Sequence, residues 1–272
     1  MAYREHYATH VASEVTTTSS STWTNAATLN FTPVGGRDYV LLWSLELANK
    51  SDTSTDARYR VSIDGAAVTT SNIESRATGE YAAFFGFFKV TGTNVPRSVA
   101  VDVQVEQAGQ AGAIRNVRLT ALALGADDHY AESLGRADVN VGGTSWADLV
   151  STTWTPAADG DYLLLSSSLV DNFATTVPAY GRFHVGWTSP EWPTAVAEVA
   201  SGQMNYAAGG GVWVEGFTGG APVTVKWQGR SLNNGNNSGW TDNRVLALRL
   251  DAFDNHASAT LSSDSSAGSA SI

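Results

Sequence analysis

The chain has 272 residues, 43% of them hydrophobic and only 15% charged, with a formal net charge of −10 and no cysteine. Without cysteine there are no disulfides, thiolate nucleophiles or Cys-type zinc sites, so stability has to come from packing. The acidic balance repels phosphate backbones and provides no basic stripe for counterion release, which argues against nucleic acid as a partner.

Met1 to Thr18 carries Arg4, Glu5, His6 and Glu14 and lacks a seven-residue apolar core, so no secretory signal is expected. Nowhere do eighteen apolar residues run together, and no membrane insertion is expected. A protein of this kind that works outside the cell would leave it by another route, such as lysis with a particle. The first organising block then appears. A Ser/Thr-rich strand runs from Trp23 into Phe31-Thr32-Pro33, a Gly/Asp turn, and Tyr39 with Leu41 and Leu42. The same block returns at a constant spacing of 123 residues as Trp146, Trp154-Thr155-Pro156, Asp161-Tyr162, Leu164 and Leu165.

Further matches extend the repeat over most of the chain. Glu5-His6-Tyr7-Ala8 answers to Asp128-His129-Tyr130-Ala131 at the same spacing. Arg58-Tyr59-Arg60-Val61 answers to Arg182-Phe183-His184-Val185 at 124, and Val99-x-Val101-x-Val103-Gln104 to Val223-x-Val225-x-Trp227-Gln228 at 124. Arg118-x-x-Ala121-Leu122-x-Leu124 answers to Arg244-x-x-Ala247-Leu248-x-Leu250 at 126. Small insertions confined to loops are what a duplicated fold tolerates.

The repeated segments read as strands. Val99, Val101, Val103 and Val105 alternate with polar or small residues in a period of two. Val40 to Leu47, Tyr81 to Val90 and Leu119 to Leu124 are denser apolar runs, as expected of strands covered on both faces. Asp64-Gly65 between two strand-like runs predicts a two-residue hairpin, both of whose turn positions need positive φ. No segment sustains helical spacing over ten residues. The fold class is therefore all-β: two tandem antiparallel β-sandwich, jelly-roll-like domains from an internal duplication. Module one spans 1–125 and module two 126–252. A Ser/Ala/Gly-rich tail at 253–272 should be flexible or ordered only by a partner.

Catalytic signatures are absent: no G-x-S-x-G elbow, P-loop or H-E-x-x-H occurs, and no cofactor is expected. His6 and His10 have the spacing of a helical metal pair, but their segment reads as extended and no third ligand lies near, so no metal is expected either. Asp52, Asp56, Asp127 and Asp128 lie in polar loops without the ligand series of a calcium loop. Asp171, Glu191, Glu198 and Glu215 are the carboxylates a glycan hydrolase would draw on, though no spacing pairs them. The chain is read as non-enzymatic.

The nine tryptophans are more informative. Trp23, Trp146 and Trp154 are locked by the repeat, and Trp43, Trp213 and Trp227 lie in strand patterns, which makes all six framework residues. Trp192, beside Glu191, sits in the Pro190–Pro193 loop that replaces the Asp64-Gly65 hairpin. Trp240 follows an Asn/Gly run containing Asn236 and Asn237 and precedes Asp242. An indole beside Asn, Asp and Glu combines a flat apolar face with hydrogen-bonding groups, the chemistry that suits a sugar ring; a buried plug or a subunit contact is the alternative. Glu191, Trp192, Asn236, Asn237, Trp240 and Asp242 are thus the candidate carbohydrate-binding residues. Module two is the candidate binding module, and module one the scaffold or attachment module.

The strand-Asp-Gly hairpin at Arg58–Gly65 and the duplicated Trp-to-Tyr block resemble the accessory structural proteins of tailed phages and gene transfer agents: head spikes, decoration proteins and fibre modules. The resemblance spans nearly the whole chain and is one of style, with no diagnostic motif. It implies a non-enzymatic particle component, made in the cytoplasm and carried on the surface of a virion or phage-like particle. Its implied partners are other particle proteins, further copies of itself in a homo-oligomer, and host cell-surface polysaccharide. A free carbohydrate-binding lectin is the alternative, and a glycan hydrolase the third reading.

Overall fold

A computed structural model of the chain describes residues 6–51, 56–74, 79–124, 130–135, 139–172, 179–185, 195–197, 207–231 and 237–250. Copy one contributes β1 (His6–Val11), β2 (Val15–Thr17), β3 (Thr24–Phe31), β4 (Asp38–Asn49), β5 (Asp56–Ile63), β6 (Ala66–Glu74), β7 (Ala82–Thr91), β8 (Arg97–Val105) and β9 (Gly112–Ala123). Copy two repeats them as β10 (Tyr130–Gly135), β11 (Val139–Gly142), β12 (Ala147–Trp154), β13 (Gly160–Asn172), β14 (Ala179–Val185), β15 (Ala195–Ala197), β16 (Ala207–Phe217), β17 (Val223–Ser231) and β18 (Asn237–Arg249). Every described pairing is antiparallel.

Each copy folds as a jelly roll. In copy one β9, β4 and β7 follow one another in a sheet whose β9 edge is shared by β1 and β2; the second sheet runs β3-β8-β5-β6. In copy two the corresponding orders are β18-β13-β16, with β10 and β11 on β18, and β12-β17-β14-β15. These interleaved orders are those of the double-sheet jelly roll. Even the irregularities are duplicated. The registers shift between Asn25 and Ala27 and between Asp148 and Val150, and again between Ser44 and Glu46 and between Ser167 and Leu169. Asn116 and Asp242 take positive φ at equivalent places beside the second pair of shifts. Bulges re-aim a strand at a fixed point, so their repetition marks them as part of the architecture. The Asp64-Gly65 hairpin turns as expected, with φ of 50° and 82°.

The cores follow from the period-two patterns. Val99, Val101, Val103 and Val105 are buried along β8, and Tyr39, Leu41, Trp43 and Leu45 meet them from β4 across the first sandwich. Copy two packs Tyr162, Leu164, Phe183, Val225, Trp227 and Trp240 in the same space. The dense apolar runs have a second role. Val40, Leu42, Phe87 and Leu124, turned away from the first core, pack against Leu163, Leu165, Leu246 and Leu248, turned away from the second. The β4-containing sheet and the β13-containing sheet are thus each covered on both faces, and the four sheets form one stack. Polar contacts close this seam. Arg244 donates to the Phe87 carbonyl and the Thr69 hydroxyl donates to Asp242. Phe85 lies over Gly210, where a Cβ would collide with its ring and with the Ser166 carbonyl.

Candidate functional site

Of the six residues that the sequence placed in one sugar site, three, Asn237, Trp240 and Asp242, fall within the described residues. Glu191, Trp192 and Asn236 lie outside the described residues. Asn237 opens β18, its backbone paired opposite Gly142. Trp240 corrects the expectation of a loop indole. It lies within β18, 1% exposed, and its Nε1 donates to Ser238 Oγ at 2.9 Å. The physical reason lies in the repeat: Trp240 stands where copy one has Ile114, and Gly229 stands where copy one has Val105. A Cβ on Gly229 would come within 2.8 Å of the Trp240 indole, so the larger side chain occupies room its neighbour gave up. Asp242, two residues on, is engaged within the protein. It accepts from Thr69 at the seam, beside a cavity of about 10 Å³ lined by Trp43, Tyr59, Ser168 and Leu169, space for about one water. Burial first, and then the Asp242 charge, pushes the Tyr59 hydroxyl far above its ordinary value of 10.0.

A different surface gathers aromatic and hydrogen-bonding groups: the outer face of the β12-β17-β14-β15 sheet. Alternation along β14 buries Ala179, Gly181, Phe183 and Val185, leaving Tyr180, Arg182 and His184 to face outward. Along β17, Val225, Trp227 and Ser231 are buried in the core, and Lys226 and Arg230 lie partly exposed on the other face, with Gln228 covered between them. Trp146, the residue before β12, lies among them and is partly exposed. Repetition had marked Trp146 and its equivalent Trp23 as framework, but both stand on outer faces, because a duplicated fold repeats its surfaces as well as its core.

Trp146 holds two cations. The Arg182 and Arg230 guanidinium carbons lie 4.3 and 4.6 Å from its ring centroid, and Arg230 is also 5.4 Å from that of Tyr180. A chain of hydrogen bonds orders the rest. Arg182 Nε donates to Gln228 Oε1 at 2.9 Å, Gln228 Nε2 donates to Asp148 Oδ1 at 2.6 Å, and Lys226 Nζ reaches Asp148 Oδ2 at 2.7 Å. Burial pushes the Asp148 carboxyl up, but the bonds from Gln228 and Lys226 outweigh it and hold the group below its ordinary 3.8. Burial and then the neighbouring Arg230 charge lower Arg182.

Copy one presents the same face differently. Arg60 lies 4.8 Å from the Trp23 ring and pairs with Asp102 at 2.8 Å, while Asn25 also donates to Asp102. Arg58, the equivalent of Arg182, pairs at 2.7 Å with Glu106, the equivalent of Arg230. Sequence reasoning missed the copy-two face, although its signal was there: outward positions of matched strands whose charge reverses between copies.

Of the carboxylates a hydrolase would draw on, Glu215 accepts from Trp213 Nε1 at 2.9 Å; Glu191 and Glu198 lie outside the described residues, as does the Asp171 side chain. His6 and His10 lie on a strand, so they do not occupy successive helical turns.

No family model matches the chain, and no curated protein does. Among solved structures it is similar to the N-terminal CBM22-1-CBM22-2 tandem domain of Xyn10C from Paenibacillus barcinonensis, at 10% identity over 88% of this chain and 93% of that one, with a TM-score of 0.24. A structure of infectious bursal disease virus, Gx strain, matches at 8% identity over 91% of this chain and 71% of the other, with a TM-score of 0.29. Xanthan lyase from Paenibacillus matches at 15% identity over 89% and 25%, with a TM-score of 0.21.

Proposed function

We propose that the chain is a non-enzymatic structural protein of a virion or phage-like particle, of the head-spike, decoration or fibre kind, and that its second module holds host cell-surface polysaccharide. The observation that carries the binding role is the outer face of the β12-β17-β14-β15 sheet. There Trp146 and Tyr180 provide flat apolar surfaces beside the hydrogen-bonding groups of Arg182, Gln228 and Arg230. The sealed seam suits an appendage that must present this face in a fixed direction, with the first module toward the particle. Many weak sugar contacts, each on one copy of a homo-oligomer, would add up to firm adhesion.

A glycan array probed with the intact chain and with Tyr180→Ala tests the binding role: the intact chain should retain polysaccharides that the variant loses. Binding unchanged in the variant would sink the site, and co-purification with no particle would sink the structural role. Sugar binding without particle association would point instead to a free lectin using the same face.

A further inference from the structure

We propose that Arg182 and Arg230 form an oxyanion-recognition site, and that the polysaccharide held by module two is an acidic one, bearing carboxylate or sulfate groups; this deepens the glycan-binding reading and rests on it. The inference comes from a place where the outer faces of the two copies reverse their charge. Asp56, Arg58 and Glu106 of copy one become Tyr180, Arg182 and Arg230 of copy two. One guanidinium paired with a carboxylate, with a second carboxylate two residues before it on the strand, is thereby replaced by two guanidiniums and a phenol.

In copy one the cation is satisfied within the protein, by the 2.7 Å contact of Arg58 with Glu106. In copy two no described carboxylate takes that place. Asp148, the carboxylate on the same face, is engaged by Lys226 and Gln228. Arg182 turns its Nε to the neutral Gln228 oxygen, and the Nε of Arg230 is buried without a partner among the described residues. Both guanidiniums nevertheless lie within 4.6 Å of the centre of the same indole. The π-face of Trp146 offsets part of their mutual repulsion, and an anion between them would remove the rest. In a chain of net charge −10, such a pair is not the general character of the surface.

The chemistry of the ligand follows from the donors. Guanidinium forks match the spacing of carboxylate and sulfate oxygens and bind them through paired, charge-assisted hydrogen bonds. Tyr180, beside Arg230, places a flat ring where the pyranose bearing the anion would lie.

The test is a titration of the full chain with oligogalacturonate, dextran sulfate, dextran and poly-L-glutamate at low and high salt, on the unaltered protein and on R230E and R230Q. R230E installs the residue copy one carries at this position, so the fold has already accommodated it once. The expected result is binding of oligogalacturonate, dextran sulfate or both in preference to dextran and polyglutamate, weakening with salt. Binding should fall about tenfold or more in R230E, and less in R230Q, while both variants keep a cooperative thermal unfolding transition no lower than that of the unaltered protein. The preferred arm identifies carboxylate or sulfate as the group recognised. Equal binding of dextran, or acidic-glycan binding indifferent to R230E, would overturn the oxyanion site while leaving the glycan reading standing. Equal binding of polyglutamate would overturn the site as a glycan receptor, and no binding to any polysaccharide would bring down both readings.

Discussion

The two copies agree on where the chain bends and differ on what fills the space. Both put a bulge after Asn25 or Asp148 and another before Glu46 or Leu169. Yet Trp43 in copy one corresponds to Ser166 in copy two, Val103 to Trp227 and Ala57 to Gly181. Trp43 and Trp227 are both buried, so the two cores draw these indoles from different strands. Each indole also has a glycine beneath it, Gly86 under Trp43 and Gly181 under Trp227, where a Cβ would enter the ring. Ile114 and Val105 become Trp240 and Gly229 by the same logic. A core of fixed volume tolerates exchange of its parts when large and small residues change together. Divergence without such compensation occurs on outward faces, as where Glu106 gives way to Arg230.

The largest expected effects break a compensated pair. Trp240→Ala should cost about 3–5 kcal/mol, since it empties a fully enclosed site. Gly229→Val should cost about 1–3 kcal/mol through collision with the indole. Combining Gly229→Val with Trp240→Ile recreates the copy-one pair and should cost less than the two single changes together, as a urea-denaturation cycle would read. Additive costs would show that the exchange is not compensatory. Glycan affinity per folded molecule should be unchanged in the Trp240 variant, which separates its packing role from the loop-indole role.

Next in size are changes at the seam, where the copies meet through non-equivalent partners. Phe85 packs on Gly210, which occupies its own equivalent position, and Gly210→Ala would press a methyl group against both the ring and the Ser166 carbonyl. The expected cost is about 1–3 kcal/mol. Because the seam joins the two sandwiches, its loss should split one thermal transition into two, which calorimetry would resolve. A single, merely shifted transition would mean that the sandwiches are coupled elsewhere.

Much of this architecture was legible in the sequence, because the repeat and the strand periodicity are local properties. The doubly covered strands were legible too: Val40 and Leu42 break the alternation because a second sheet lies behind them. The site was not. The Asn/Gly run before Trp240 resembles a loop, yet Ser238 and Trp240 take inward positions of β18 that only the register with β11 and β13 defines. Trp146 was set aside because it repeats, and repetition cannot tell an inner face from an outer one. The charge reversal from Glu106 to Arg230 was visible at the 124-residue spacing, but its meaning needed the outer face on which both residues lie.

A smaller effect should come from making the outer faces alike. R230E would give Arg182 the partner that Arg58 already has. An ion pair this exposed contributes only about 0.2–1 kcal/mol, so a slight rise in melting temperature is expected alongside the loss of acidic-glycan binding. A fall in melting temperature would mean that Arg230 carries a packing role absent from copy one.

Acid should produce the smallest difference, and it should fall on copy one. Hydrogen bonds from Arg115 and Asn116 hold Glu46 below its ordinary 4.5, and hydrogen bonds from Tyr81 and Lys50 do the same for Glu14. Arg115 stacks on the Tyr81 ring at 3.7 Å, which joins the two pairs into one network. Copy two has Leu169 where copy one has Glu46, and no such pair there. A carboxyl group whose folded value is depressed contributes stability that is complete above its unfolded value and is lost as pH falls through the folded one. Stability from these groups should therefore hold above about pH 5 and decline below 4.5, modestly and less so at high salt, because the side chains are partly exposed. Glu46→Gln should flatten that decline without altering stability at neutral pH by more than about 1 kcal/mol. An unchanged acid limb in this variant would place the acid sensitivity outside the network, in groups the two copies share.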